Sequence, residues 1–207
     1  MGEVDDHYER RGLLASIDAA LAEMGRDLDT ITVQDLGPVD EFHVGGRPAS
    51  VHLLTHLNLD PASARVLDIG CGLGGMARLL ASGPAASVVG LDLTAGFVEA
   101  GRALNERVGL ADRIDLRVGS ALDLPFEAEF DAAVMLHVGM NIEDKPRLFH
   151  QVARALRPGG RFALYDLMRV GGGEIEFPVP WSSGPATSHV ASLEQYRAGA
   201  EAASFEV

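Results

Sequence analysis

Four places in this 207-residue chain set chemistry-bearing side chains directly after short apolar runs. In "VLDIGCGLGG", residues 66–75, a carboxylate, Asp68, precedes a glycine-rich turn. Gly70, Gly72 and Gly75 satisfy the G-x-G-x-x-G spacing, whose missing side chains let backbone amides approach a nucleotide closely. Asp92 follows "SVVGL", 22 residues past Gly70, where an acidic side chain accepts hydrogen bonds from ribose hydroxyls. Ser120 and Ala121 close the run "IDLRVGS", and His137, Gly139 and Asn141 follow "FDAAVML".

Asp68 bears most directly on the ligand. A pyrophosphate would be repelled by a carboxylate two residues before the first glycine, whereas an amine would be attracted. A buried carboxylate costs several kcal/mol unless it is paired or hydrogen-bonded, and a methionine ammonium group would pair it. The competing reading is that Asp68 serves only the backbone amides of its own loop. On these residues a nicotinamide dinucleotide and S-adenosylmethionine both fit, since each presents an adenosine with a free ribose.

His137 is the best candidate for a general base, because an imidazole with an ordinary pKa of about 6.5 suits proton removal near neutrality. The alternative is that it only orients a substrate. His43, in "EFHVGG", is expected to close over the site from the N-terminal side, as a cofactor or substrate contact or as a loop histidine bonded to backbone. Cys71 reads as a small residue filling the loop. His52 and His56 stand four apart but lack a third ligand, so their expected role is surface packing. Asp5, Asp6, Glu9, Asp27 and Asp29 read as a solvated acidic face.

The elements that must position these residues follow from periodicity. Residues 7–24 form one amphipathic helix with Leu13, Leu14, Ile17, Ala20, Leu21 and Met24 on the apolar side. Thr32 and Asp35 make a capping box, and Gly37-Pro38 is expected to end the helix it starts. A further helix over about 48–57 turns Val51, Leu54 and Leu57 inward. From residue 65 onward, apolar runs at 65–70, 87–93, 114–120, 130–136 and 160–168 alternate with helical stretches at 74–82, 94–108 and 143–156. That alternation predicts an α/β fold, a doubly wound and mostly parallel sheet, with an N-terminal helical extension. Residues 1–60 read as a helical cap and 61–207 as the core. Residues 169–191 are rich in Gly, Pro and Ser and predict a long loop; 192–203 read as a helix, and "SFEV" reads as the start of a strand at which the sequence stops.

Composition narrows the function. A net charge of −13 argues against nucleic acid, whose phosphates demand a basic face, and fits a cationic or neutral small molecule. A single cysteine allows no internal disulfide, and Lys145 is the only lysine. No apolar run reaches membrane-spanning length and the acidic N-terminus lacks a signal-like apolar region, so the expectation is a cytoplasmic protein, monomer or homodimer.

"VLDIGCGLGG", "VVGLDLT", "GSALDLPF", "FDAAVMLHVGMNIEDK" and "VARALRPGGRFALYD" together resemble, in order and spacing, the class I S-adenosylmethionine-dependent methyltransferases, over residues 65–207. The upstream "VDEFHVGGRPAS" is similar to the signature of a subgroup that includes sarcosine/dimethylglycine N-methyltransferase-like proteins, and the core more distantly resembles ubiquinone/menaquinone-type C-methyltransferases. The resemblance implies that Asp68, Gly70 and Gly72 surround the methionine moiety. It places Asp92 on both ribose hydroxyls, Leu93 against the adenine, Ser120 and Ala121 at the adenine edge, and Leu136 with His137 near the sulfonium. Many relatives carry Asp where this chain has Ser120, which implies a weaker contact to the adenine amino group or one supplied by a neighbour; Asp123 is the lesser alternative. The family also completes its sheet with a final antiparallel strand pair. The implied activity is methyl transfer to a small amine of the sarcosine or dimethylglycine type. A phenol or quinone-like carbon is the second possibility, and a dehydrogenase and a noncatalytic cofactor-binding module are rivals from other classes.

Overall fold

The computed structural model describes residues 3–41 and 43–207, and side chains from residue 12 onward apart from Phe42. The readings of Asp5, Asp6 and Glu9 therefore concern side chains outside the described residues. Three helices come first: α1 (Glu3–Glu23), α2 (Val33–Asp40) and α3 (Gly46–Leu54). The core then alternates β1 (Arg65–Ile69), α4 (Gly75–Ala81), β2 (Ser87–Asp92), α5 (Ala95–Arg107), β3 (Ile114–Val118), β4 (Phe130–Leu136), α6 (Lys145–Ala155), β5 (Leu156–Tyr165) and α7 (Leu193–Ala202).

The five strands form one parallel sheet in the order β3-β2-β1-β4-β5. β1 is apolar on both faces because helices cover both, and Val66, Leu67 and Ile69 are fully buried. Strand order reverses between β1 and β4, and a crevice opens beyond the carboxyl ends of strands at such a point. The N-terminal helices pack onto the core: Ile17 and Leu21 of α1, Ile31 and Leu36 share an apolar cluster with Leu73, Ala100 and Leu104. Arg107 adds a two-pronged ion pair to Asp18 across α5 and α1.

Several expectations are corrected. Gly37-Pro38 does not end α2: Pro38 lies inside it. The Thr32–Asp35 capping box starts the helix and Leu36 anchors it in the core, so two short turns persist despite one missing backbone donor. Met24 is exposed, because α1 stops at Glu23 and the chain turns at Gly25. Val51 is exposed as well; α3 begins earlier than expected and buries Ser50 on its inner face, with Leu57 buried just beyond. β5 starts at Leu156, ahead of the run at 160–168, and a register irregularity opposite Phe130–Ala132 absorbs "RPGG". Residues 204–207 are not a strand; the Phe205 amide donates back to Ala200 O, and its ring lies against Phe162. Residues 169–191 do form a long loop, whose ends meet where Arg169 N donates to Ala191 O.

Candidate active site

A cavity of about 560 Å³ lies beyond the carboxyl ends of the strands. Gly75 and Gly139 stay outside its lining, whereas the ten residues expected to contact the cofactor or act as base all line it, His43, Asp68, Gly70, Gly72, Asp92, Leu93, Ser120, Ala121, Leu136 and His137, and Asn141 joins them. They converge because parallel strands present all their carboxyl ends on one side of the sheet.

The glycine loop forms the floor. Gly70 and Gly72 have left-handed φ angles of 71° and 52°. A Cβ at Gly70 would stand 2.1 Å from Val138 Cγ2, so that glycine is demanded by the residue following His137. A Cβ at Gly72 would meet nothing within 4 Å, so there the backbone conformation alone disfavours a side chain. Asp92 holds the loop open from β2: its Oδ2 accepts from Gly72 N at 2.9 Å and its Oδ1 from Thr94 N at 2.8 Å. Leu93 projects beside it and is 75% exposed, a large apolar surface left without a protein partner.

Asp68 is buried, and its Oδ2 has no hydrogen-bond partner among the described residues. Burial, and secondarily the charge of Asp92, push its carboxyl up to about 7; the Ala77 amide and Arg78 act against this. It therefore stands as a buried acceptor whose remaining partner must come from the cavity.

His137 sits at the end of β4 with φ 53°, left-handed backbone that a non-glycine residue adopts only when its surroundings enforce it. Its amide donates to Tyr165 O at 2.8 Å, which ties it to the end of β5. Burial lowers the imidazole pKa and His43 adds to this, while Asp166 opposes it. The ring is neutral near pH 7, with a lone pair available for a proton. His43 reaches the same corner from the N-terminal segment, its ring 5.9 Å from that of His137 and 6.3 Å from that of Tyr165. Ser50 Oγ donates to Glu41 Oε2 at 3.2 Å and lies 2.9 Å from His43 Nε2, while Arg47 donates to Glu41 at 2.9 Å. The other ring nitrogen, Nδ1, lies 3.3 Å from Val44 O, so both imidazole nitrogens of His43 are engaged by its own segment and α3.

The long loop closes the remaining side. Asn141 Nδ2 donates to Trp181 O and Thr187 O, His189 N donates to Met140 O, and Lys145 Nζ donates to His189 O and Gly139 O, each within 3.0 Å. These bonds bring His189 to the cavity wall. Asp166, beside His137, accepts from Tyr196 Oη at 2.7 Å.

Sequence reasoning missed the support beneath the loop. Arg78 of α4 is fully buried and donates to Asp40 Oδ2 at 2.5 Å, Asn105 Oδ1 at 2.7 Å and Leu73 O at 2.7 Å. It joins α2, α5 and the glycine loop at one point. An arginine within "GGMARLLA" was the only available signal, and nothing local identifies its partners. Asp123, the lesser candidate for the adenine edge, does not line the cavity. The Cys71 thiol is pushed up by burial, consistent with a filler role. No group of three or more His, Cys, Asp or Glu among the described residues is arranged to hold a metal ion. No helix of the described residues is long and apolar enough to cross a membrane.

Comparison with known proteins places this geometry. Residues 67–164 match the family described as "Methyltransferase domain". The chain is 36% identical over 100 residues to the probable chloroplastic tocopherol O-methyltransferase of Oryza sativa subsp. japonica, covering 48% of this chain and 28% of that protein. It is 32% identical over 149 residues to 27-O-demethylrifamycin SV methyltransferase of Amycolatopsis mediterranei, covering 70% of this chain and 55% of that protein. Among solved structures, phosphoethanolamine N-methyltransferase 2 of Haemonchus contortus, in complex with S-adenosyl-L-methionine, superposes with a TM-score of 0.71 at 26% identity, covering 81% of this chain and 39% of that one. The chain thus spans between about a quarter and about half the length of these curated relatives. The buried carboxylate of Asp68 and the family match agree against a dehydrogenase, and residues 67–164 carry the match to a methyltransferase domain.

Proposed function

We propose that the protein binds S-adenosylmethionine in this cavity and methylates a small molecule held between His137, His43 and the 169–191 loop, with residues 1–60 capping the 61–207 core. The observation that carries the reading is the unpartnered, buried Oδ2 of Asp68 beside the glycine loop. The cofactor's ammonium group suits that atom, and would return the carboxyl to its charged form. Asp92, already oriented by two backbone donors, keeps lone pairs for the ribose hydroxyls. Leu93 offers an apolar face for the base, with Ser120 and Ala121 at its edge. Gly70 and Gly72 leave room for the methionine chain, Leu136 and His137 border the reacting centre, and His43 closes the mouth. The bound cofactor supplies a methyl group on a sulfonium, already a strong electrophile. The protein's own tasks are then to hold the nucleophile in line, exclude water and remove a proton. Neutral His137 performs the last.

For the acceptor, we favour a phenolic or enolic small molecule methylated at oxygen or carbon. The described residues lining the cavity include no Arg or Lys, so a carboxylate-bearing acceptor such as sarcosine would lack a counter-charge. The amine reading keeps support in the N-methyltransferase that superposes on the chain and in a similar solved structure described as a putative sarcosine dimethylglycine methyltransferase. Calorimetric titration with S-adenosylhomocysteine and NADH, followed by methyl-transfer assays on catechol, sarcosine and dimethylglycine, tests both layers. Binding of NADH in place of S-adenosylhomocysteine overturns the cofactor. Turnover confined to the two amines overturns the acceptor.

A further inference from the structure

His189 is fixed at the cavity wall by its backbone, which leaves its side chain uncommitted. Its amide donates to Met140 O at 2.7 Å and its carbonyl accepts from Lys145 Nζ at 2.8 Å. Lys145 is buried, and the same ammonium group donates to Gly139 O and Ile142 O, so one cation ties the long loop to the turn that follows β4. Among the described residues, by contrast, neither ring nitrogen of His189 has a hydrogen-bond partner. His189 is partly buried and lines the cavity, as does His137, whose ring nitrogens are likewise unpartnered among the described residues. His43, the third imidazole at the cavity, is engaged at both nitrogens. Strand order decides which ligand His189 meets. Asp68 and Asp92 stand at the ends of β1 and β2, whereas His137 and the turn that carries His189 follow β4, on the opposite side of β1 from β2. His189 therefore belongs to the side of the cavity where His137 works, not to the nucleoside side.

Resting on the cofactor and acceptor readings above, we propose that His189 determines specificity by holding a second oxygen of the methyl acceptor, while His137 removes the proton from the first. An imidazole pairs with a hydroxyl or a carbonyl oxygen alike, donating from one ring nitrogen and accepting at the other. A methyl acceptor that displaces water from His189 without replacing its hydrogen bond leaves a polar group unpaired, which costs binding. The substrate class is therefore a dihydroxylated aromatic, or an enol that carries a further carbonyl, in preference to a simple phenol.

The test measures kcat/KM for methyl transfer to catechol, resorcinol and phenol in the wild type, His189→Ala and His189→Gln, with S-adenosylhomocysteine affinity followed by calorimetry. The wild type should favour the better of the two diphenols over phenol by about tenfold or more. His189→Ala should bring that ratio to within about threefold, chiefly through KM for the diphenol, and His189→Gln, which keeps a donor and an acceptor, should recover part of it. S-adenosylhomocysteine affinity should stay within about threefold in both variants. The bonds to Met140 O and Lys145 use only the backbone of His189, so these substitutions leave the loop's attachment in place, and far-ultraviolet circular dichroism checks that the fold is retained. An unchanged ratio, or an equal fall on diphenol and phenol, overturns the proposal. A loss of S-adenosylhomocysteine affinity of about tenfold or more assigns the imidazole to the cofactor and overturns it too. A wild type that binds S-adenosylhomocysteine but methylates none of the three refutes the acceptor reading and the proposal with it, whereas failure to bind S-adenosylhomocysteine refutes the cofactor reading on which both rest.

Discussion

Replacing Asp68 by Asn tests the central electrostatic claim in the absence of any ligand. In the folded protein this carboxyl titrates near 7, against 3.8 when unperturbed. Below about pH 4 both folded and unfolded chains hold the proton; between 4 and 7 only the folded chain does. Stability therefore falls as pH rises across that window, by ~1.4 kcal/mol per pH unit, to a total of about 4 kcal/mol by pH 7–8. Asn does not titrate, so this one slope should vanish in the variant. Urea denaturation from pH 5 to pH 8 should show the variant gaining about 2–3 kcal/mol on the wild type over that range, equivalent to roughly 5–10 °C in melting temperature. The pH slope is the readout because it is independent of any fixed cost of burying the amide. Cofactor binding supplies the second half: below pH 7 the wild type should release close to one proton on binding S-adenosylmethionine, seen in calorimetry across buffers of different ionisation enthalpy. The variant should release none from this site and bind more weakly. An Asn variant whose stability difference from wild type is the same at pH 5 and pH 8 would refute the reasoning.

His137→Gly relieves left-handed backbone and should raise stability by about 1 kcal/mol while lowering methyl transfer roughly 10²–10⁴-fold, with S-adenosylhomocysteine affinity unchanged; chemical denaturation and single-turnover assays check both. Methyl transfer should rise with pH with its half-maximum below pH 6.5, since burial lowers the His137 pKa and the base is competent only when neutral; a half-maximum above 6.5 excludes His137 as that base. Arg78→Met strands the buried Asp40 carboxylate and should cost about 3–5 kcal/mol, measurable by urea midpoint, with part of the loss recovered in the Asp40→Asn, Arg78→Met double variant. Gly70→Ala should be far more damaging than Gly72→Ala, which should cost about 1 kcal/mol, because only the former drives a Cβ into Val138.

The alternation of apolar runs and helices was legible because parallel strands covered on both faces leave a local signature, and the crossover rule leaves few ways to assemble them. The acidic and glycine positions were legible for the same reason: Asp68 and Asp92 stand in the last two residues of β1 and β2, and Gly70 and Gly72 within three residues past β1. Helix limits were less so. Pro38 within α2 and buried Ser50 in α3 contradict local propensity because Leu36 and the Glu41–Ser50–His43 bonds outweigh it.

By itself the sequence determined which residue types stand at the carboxyl end of each strand, since a strand's end and its next residue are neighbours in the chain. Only the tertiary structure decided what those residues face. The Arg78–Asp40 pair spans 38 positions, the Asn141–Thr187 bond 46 and the Arg107–Asp18 pair 89. Such partners meet because α1 and α2 pack on α4 and α5 and because the long loop folds back over β4. The unpartnered state of Asp68 is of the same kind: a carboxylate's identity is local, but its burial and its missing partner arise from everything packed around it.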